Sequence, residues 1–141
     1  MPALARGPGP LRLRLPVPSL PSRLRDVREQ LASWAHRFGL SADAVDDIVL
    51  ATHEALANVA DHAYPGGGGE AELDATCVHG EIHVVVRDHG SWKPPRDPGW
   101  RGRGLLLIAG LAEHVDVQRA AAGTCVAMRW SLPSPSTGSA G

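Results

Sequence analysis

The chain contains segments in which apolar residues alternate with polar ones and segments in which they recur every three or four positions. Alternation is typical of half-buried strands, and it predicts strands over residues 11–17, 70–78 and 81–88 and a closing hairpin over 114–131. Spacings of three and four predict helices over residues 20–38, from Ser41 to the residue before Tyr64, and over residues 102–114. A turn at His79-Gly80 joins the second and third strands into a hairpin.

These elements follow one another in the order β-α-α-β-β-α-β-β. Strands that arrive as hairpins pair antiparallel, so the order predicts an α+β fold, a two-layer sandwich of a mostly antiparallel mixed sheet with helices on one face. The 141 residues suit one domain, which we place at residues 11–132. Residues 1–10 and 133–141 are rich in Pro, Gly and Ser, and we predict disordered tails there.

Net charge and hydropathy exclude several classes of function. The formal net charge is −1, so no overall positive charge draws the protein to nucleic acid or to an anionic membrane. No segment approaches the roughly 20 apolar residues that cross a bilayer, and the first residues lack the apolar run of a signal peptide. We therefore predict a cytoplasmic protein that binds neither nucleic acid nor membranes directly.

The second helix carries a polar face opposite its apolar stripe. In ATHEALANVADHAY (51–64), Glu54 and Asn58 stand four residues apart, and Asp47 and Asp61 extend the same face. Three carboxylates without a neighbouring Lys or Arg repel one another. The face is either a solvated stripe of a surface helix or part of a site, in which Glu54 is a general base and Asn58 an oxygen ligand for Mg²⁺.

The strand at residues 81–88 ends in a carboxylate, Asp88. Asp88 has the parity of Val84 and Val86, which predicts a carboxylate on the buried face of the sheet. Burial of a carboxylate is unfavourable unless a donor reaches it. Either Asp88 caps the following turn, or it accepts a ligand's N–H while Gly90 lets the backbone approach closely.

Glycines also mark the start of the third helix and the last hairpin. Gly102 and Gly104 flank Arg103 ahead of a helix amino terminus, where free N–H groups and positive charge favour phosphate. Gly123-Thr124 enters the last strand, either as a plain hairpin turn or with its hydroxyl directed to a phosphate. The sequence has neither GxxxxGK followed by Ser or Thr nor a dinucleotide fingerprint, so both familiar phosphate motifs are excluded.

The four features follow one another as Glu-x-x-x-Asn on a helix, Asp-x-Gly after a strand, Gly-x-Gly at a helix start and Gly-Thr at the last turn. In this order and spacing the chain resembles the GHKL, or Bergerat-fold, ATPases. More closely, it resembles the anti-sigma-factor serine kinases and related regulatory ATP-binding domains of bacteria. The resemblance covers about residues 11–132, and it implies a Bergerat ATP-binding fold that takes ATP and Mg²⁺.

The resemblance also implies a role for each motif. Glu54 matches the family's general base and Asn58 its Mg²⁺ ligand. Asp88 matches the residue that receives the adenine amino group, with Gly90 beside it. The positions that match residues around the phosphates and the nucleotide are Gly102, Arg103, Gly104 and Thr124.

The chain departs from the family pattern in two places. The fuller motif is Asp-x-Gly-x-Gly, and Trp92 stands at its second Gly position. Lys93 is the only lysine in the chain, so Arg101 or Arg103 would replace a phosphate-binding lysine, although arginine and lysine are not equivalent. The lid of the family corresponds to residues 91–101, which here carry three prolines.

The resemblance implies a leading function and leaves two alternatives. The leading function is an ATP-dependent protein serine/threonine kinase that transfers the ATP γ-phosphoryl group to a Ser or Thr of an anti-sigma-factor antagonist protein and sequesters a sigma factor. The second is a nucleotide-gated protein-binding module with little or no kinase activity. The third is an α+β interaction domain whose motifs are coincidental. Family members often pair as homodimers, so a homodimer is also open.

Overall fold

The computed structural model describes residues 8–91 and 102–133, without the side chains of residues 102–105. Predictions about Trp92, Lys93, Arg101 and most of the two tails lie outside the described residues. The described strands are β1 (Leu11–Pro16), β2 (Glu70–Val78), β3 (Glu81–Asp88), β4 (His114–Ala120) and β5 (Gly123–Ser131). The described α-helices are α1 (Leu20–His36), α2 (Ala42–Asn58) and α3 (Gly102–Leu111), with a 3₁₀ turn at Val17–Ser19 and a π turn at Val59–Ala63.

The described strands form one sheet in the order β1-β2-β3-β5-β4, with β3 at its centre. All four pairings are antiparallel. The α+β prediction is confirmed, and within the described residues the sheet is wholly antiparallel rather than mixed. Short turns join β2 to β3 and β4 to β5, and connections of that length permit only antiparallel pairing. In the first of these turns, His79 has φ +52° and Gly80 φ +77°.

Two helices begin and end at residues that favour helix termini. Pro21 lies in the first turn of α1, where its missing N–H loses no hydrogen bond. α1 ends at His36, slightly earlier than predicted, and the chain turns through Gly39 at φ +77°. Ser41 caps α2 as predicted, because its Oγ accepts a hydrogen bond from the Ala44 N–H at 3.1 Å.

The hydrophobic core lies between the helices and one face of the sheet, which we call the inner face. Its largest fully buried side chains include Leu15, Leu31, Ile48, Leu56, Leu73, Ile82, Ile108 and Met128. Each such side chain contributes about 1.5–3 kcal/mol relative to full exposure. The Trp130 indole donates to the Leu111 carbonyl at 3.0 Å and so joins β5 to the end of α3. None of the described helices is long and apolar enough to cross a membrane.

The opposite face of the sheet, here called the outer face, carries charged side chains in pairs. The pairs and their N···O distances are Arg12–Asp74 (3.7 Å), Arg87–Asp74 (3.1 Å), His89–Glu72 (3.2 Å), His83–Glu81 (3.1 Å) and Arg129–Glu81 (3.5 Å). The hydrogen bond with His83 lowers the pKa of the half-buried Glu81 carboxyl below its usual value, and Arg129 adds to this effect. The alternation of each strand therefore separates an apolar face from a solvated, charged one.

Candidate functional site

Asp88, the last residue of β3, lies at the end of the inner face and is only 3% exposed. Its register partner on β5 is Thr124, which is also buried. Asp88 Oδ1 accepts hydrogen bonds from the backbone N–H groups of Gly90, at 3.0 Å, and Thr124, at 3.3 Å. The predicted parity is confirmed, and the carboxylate caps the following turn. Turn capping and ligand binding are compatible, because a carboxylate has about four lone-pair positions.

Two glycines allow the backbone to approach this strand end closely. A methyl group at Gly90 would collide with the carbonyl oxygen of Ala63. A methyl group at Gly123, whose φ of +148° already favours glycine, would collide with the carbonyl oxygen of Asp88. The sequence predicted a close approach at Gly90, and the structure shows that protein backbone makes it. At Gly123 the sequence predicted only a turn.

The polar face of α2 lies on the flank of the helix beside its apolar stripe. Glu54 and Asn58 are both half-buried there, one helical turn apart. Asp47 is half-buried too, but Asp61 is exposed. Asp61 belongs to the π turn that follows Asn58, so the α-helical spacing that predicted it on the same face does not apply. For Asp61, a position on the same face therefore stays a prediction.

The end of the π turn is bonded to the residues that follow Asp88. The Ala63 carbonyl accepts a hydrogen bond from the Ser91 N–H at 2.8 Å. The Tyr64 hydroxyl accepts one from the His89 N–H at 2.9 Å. The helix that carries Glu54 and Asn58 therefore ends against the segment that carries Gly90. Sequence reasoning missed both contacts; the only signal was the chain's single tyrosine directly after a helix.

α3 begins at Gly102 and packs against α2. Gly102, Arg103 and Gly104 therefore lie in the first turn of this helix, at the start that the sequence predicted for it. Free N–H groups occur in the first turn as well, so this position still suits a phosphate. Asp88 is hydrogen-bonded to both Gly90 and Thr124, whereas α3 packs against α2.

The oxygen donors of this region suit a hard cation only together with a nucleotide. Within residues 8–91 and 102–133, no group of three or more His, Cys, Asp or Glu side chains could hold a metal ion. Glu54 and Asn58 offer a carboxylate and an amide oxygen, and proteins typically hold Mg²⁺ through one or two such groups plus substrate phosphates. The donor set therefore fits Mg²⁺ bound with a nucleoside triphosphate. Nearby, burial lowers the pKa of His62, and Asp61 partly offsets this shift.

An antiparallel sheet with helices on one face, a buried carboxylate at a strand end and a helix with Glu and Asn one turn apart are the features of an ATP-binding domain of the GHKL class. The sequence model of the histidine kinase-like ATPase domain family matches residues 17–130. The chain belongs to this family, and the resemblance found in its motifs is confirmed. Membership in an ATPase family makes ATP the ligand of this domain.

Curated relatives and a solved structure agree with this assignment. The serine-protein kinase RsbW of Halalkalibacterium halodurans is 29% identical, over 77% of this chain and 76% of that protein. RsbW of Oceanobacillus iheyensis is 28% identical, over 55% of this chain and 50% of that protein. The crystal structure of the RsbU and RsbW domains of Rv1364c from Mycobacterium tuberculosis matches with a TM-score of 0.72 at 24% identity. That match covers 91% of this chain but only 34% of the longer protein, and it shows the fold alone.

Proposed function

We propose that this protein is an ATP-dependent protein serine/threonine kinase of the anti-sigma-factor type. The observation that carries the proposal is the buried Asp88 carboxylate, which accepts from two backbone N–H groups at a strand end. The residues after Asp88 are bonded to the end of the π turn that follows the Glu54 and Asn58 helix. The two curated RsbW relatives, both named serine-protein kinases, support the same activity. By the same relationship, the acceptor is a Ser or Thr of an anti-sigma-factor antagonist protein, and a sigma factor is the protein that is sequestered.

Different residues bind the base of the nucleotide and its phosphates. In the proposal, Asp88 accepts a hydrogen bond from the adenine amino group, and Gly90 and Thr124 lie beside the base. Asn58 is the protein's ligand to Mg²⁺. Gly102, Arg103 and Gly104 bind the phosphates, since free N–H groups at a helix start favour anions. Mg²⁺ bound with ATP supplies positive charge that offsets the charge of the phosphates.

In the chemical step, a side chain of the protein removes the proton of the acceptor hydroxyl. Glu54 takes the proton from the acceptor hydroxyl as that oxygen bonds to the γ-phosphorus. The bond from the γ-phosphorus to the bridging oxygen of ADP breaks in the same displacement, and ADP leaves with the electron pair. The half-buried position of Glu54 suits this role, because a general base has to be both accessible to the acceptor and shielded from bulk water.

The test is a pair of measurements on the full chain and its variants. Calorimetry measures Mg-ATP binding, and labelled ATP measures phosphoryl transfer to the anti-sigma-factor antagonist of the source organism. Glu54→Gln keeps the size of the side chain, so we expect nucleotide affinity within about twofold of the original and at least a hundredfold loss of transfer. The matched control is Asp46→Asn, because Asp46 is an exposed residue of the same helix. This variant should alter neither the nucleotide affinity nor the rate of transfer.

Other outcomes would change the proposal. Transfer by Glu54→Gln at the original rate would exclude Glu54 as the base. Tight Mg-ATP binding without any transfer by the unmodified protein would favour the nucleotide-gated binding module instead. Asn58→Ala should weaken ATP binding in the presence of Mg²⁺ much more than in its absence, and an equal loss in both conditions would exclude Asn58 as the ligand.

A further inference from the structure

The side chain of Tyr64 connects three parts of the molecule. It follows the π turn at Val59–Ala63, and its ring is half-buried. Its hydroxyl donates to the Glu70 carbonyl at 2.7 Å and accepts from the His89 N–H at 2.9 Å. One hydroxyl therefore joins the end of the α2 region, the first residue of β2 and the residue after β3.

The ring of Tyr64 fixes where that hydroxyl can lie. A methyl group at Gly69 would collide with the ring, so the glycine-rich turn packs directly against it. The turn is also closed by a hydrogen bond from the Gly67 N–H to the Tyr64 carbonyl at 2.8 Å. Gly67 and Gly69 both have positive φ, at +83° and +79°, which the turn requires and which other residues adopt poorly. The run of glycines therefore serves to hold this tyrosine.

The position of His89 in the chain indicates what the hydrogen bond to Tyr64 does. His89 lies between Asp88 and Gly90, the two residues proposed to meet the base. On one side, the Thr124 N–H holds the Asp88 carboxylate. On the other side, the Tyr64 hydroxyl and the Ala63 carbonyl hold the backbone N–H groups of the next residues. The strand end is thus held from β5 and from the end of the π turn together, and Tyr64 supplies the side-chain contact from the π turn.

We propose that Tyr64 is a positioning residue for base recognition, whose hydroxyl sets the orientation of the Asp88 carboxylate by holding the His89 N–H. This role rests on the proposed function, in which Asp88 receives the adenine amino group. Tyr64 acts through His89 and is not itself a catalytic residue. Loss of the hydroxyl should therefore reduce the preference for adenine, in addition to any effect on affinity.

The experiment uses the full chain with Tyr64→Phe, which removes the hydroxyl and keeps the ring against Gly69. Calorimetry measures the affinities for Mg-ATP and for Mg-inosine triphosphate, which has an oxygen in place of the adenine amino group. We expect the unmodified protein to prefer ATP at least about tenfold and the variant to lose roughly threefold to tenfold of that preference. Thr52→Val is the matched control, because the Thr52 hydroxyl bonds within α2, to the Ile48 carbonyl at 2.7 Å.

A second measurement reads the contact without any nucleotide. Hydrogen exchange of the His89 amide should be faster in Tyr64→Phe than in the unmodified protein and unchanged in Thr52→Val. An unchanged ratio of the two affinities in Tyr64→Phe, or an unchanged His89 exchange rate, would overturn the positioning role. A purely structural loss would weaken both nucleotides equally and leave the ratio intact. Failure of the unmodified protein to bind ATP would instead overturn the proposed function itself.

Discussion

Two aspartates lie on opposite faces of the sheet in different surroundings. On the outer face, Asp74 pairs with Arg12 and Arg87 in contact with solvent. On the inner face, Asp88 is 3% exposed and accepts hydrogen bonds from backbone N–H groups. Exposed ion pairs contribute at most about 1 kcal/mol each, since water competes for both partners. A buried carboxylate instead depends on oriented donors, because water cannot replace them. The comparison teaches that charge on the outer face tolerates change, while charge at the inner end is sensitive to small shifts of the backbone.

The largest expected effect comes from Gly90→Ala. The added methyl group meets the Ala63 carbonyl oxygen, so the π turn and the strand end have to separate. We expect a loss of about 3 kcal/mol or more in the free energy of unfolding, measured in urea, and loss of detectable Mg-ATP binding. Gly110→Ala is the control, because that helical position has open space and should not be destabilised. Equal stability of the two variants would mean that the contact between Ala63 and Gly90 is not needed.

A smaller effect, confined to binding, is expected from Asp88→Asn. The amide keeps an oxygen acceptor for the N–H groups of Gly90 and Thr124, so stability should change by only about 1 kcal/mol. The affinity for Mg-ATP should fall at least about tenfold, because the charged acceptor proposed for the adenine amino group is lost. The corresponding change on the outer face, Asp74→Asn, should leave calorimetric affinity unchanged. Equal effects of the two variants would contradict the distinction between the faces.

The smallest effect concerns the pH dependence of the outer face. His83, and next Arg129, lower the pKa of Glu81 in the folded protein. Its ionised form therefore stabilises the fold at neutral pH, and this contribution is lost in acid, as the pH falls below the usual range of a Glu carboxyl and through the lowered pKa. Glu81→Gln should slightly reduce the urea midpoint at pH 7 and make it less dependent on pH in this acid range. A steeper acid dependence in the variant would show that the sign is wrong.

Local patterns predicted much of the fold. The hairpin of β2 and β3, the Ser41 cap and the parity of Asp88 each depend on residues that are close in sequence. The π turn was not predicted, because a pattern of apolar positions does not distinguish it from one more α-helical turn. The α-helical spacing that predicted Asp61 on the polar face of α2 therefore does not extend through this turn.

The contacts that complete the site depend on residues far apart in the chain. The role of Gly90 is set by the Ala63 carbonyl, and that of Gly123 by the Asp88 carbonyl. Neither neighbour can be read from the sequence around the glycine. The Tyr64 hydroxyl likewise finds its donor only when the helix end packs on the strand end. The sequence therefore predicted the burial of Asp88 and the close backbone approach at Gly90, but not the groups that make these contacts.

The central position of β3 has a consequence for how the domain opens. β3 is paired along its whole length with β2 on one side and β5 on the other, so its amides should be among the last to exchange with solvent. Tyr64 and the glycine-rich turn lie at the periphery, in contacts that water can reach. We therefore expect fluctuations to release the turn while the strand stays paired. Under the proposed function, nucleotide exchange can then proceed by local opening at this end of the sheet, without unfolding of the domain.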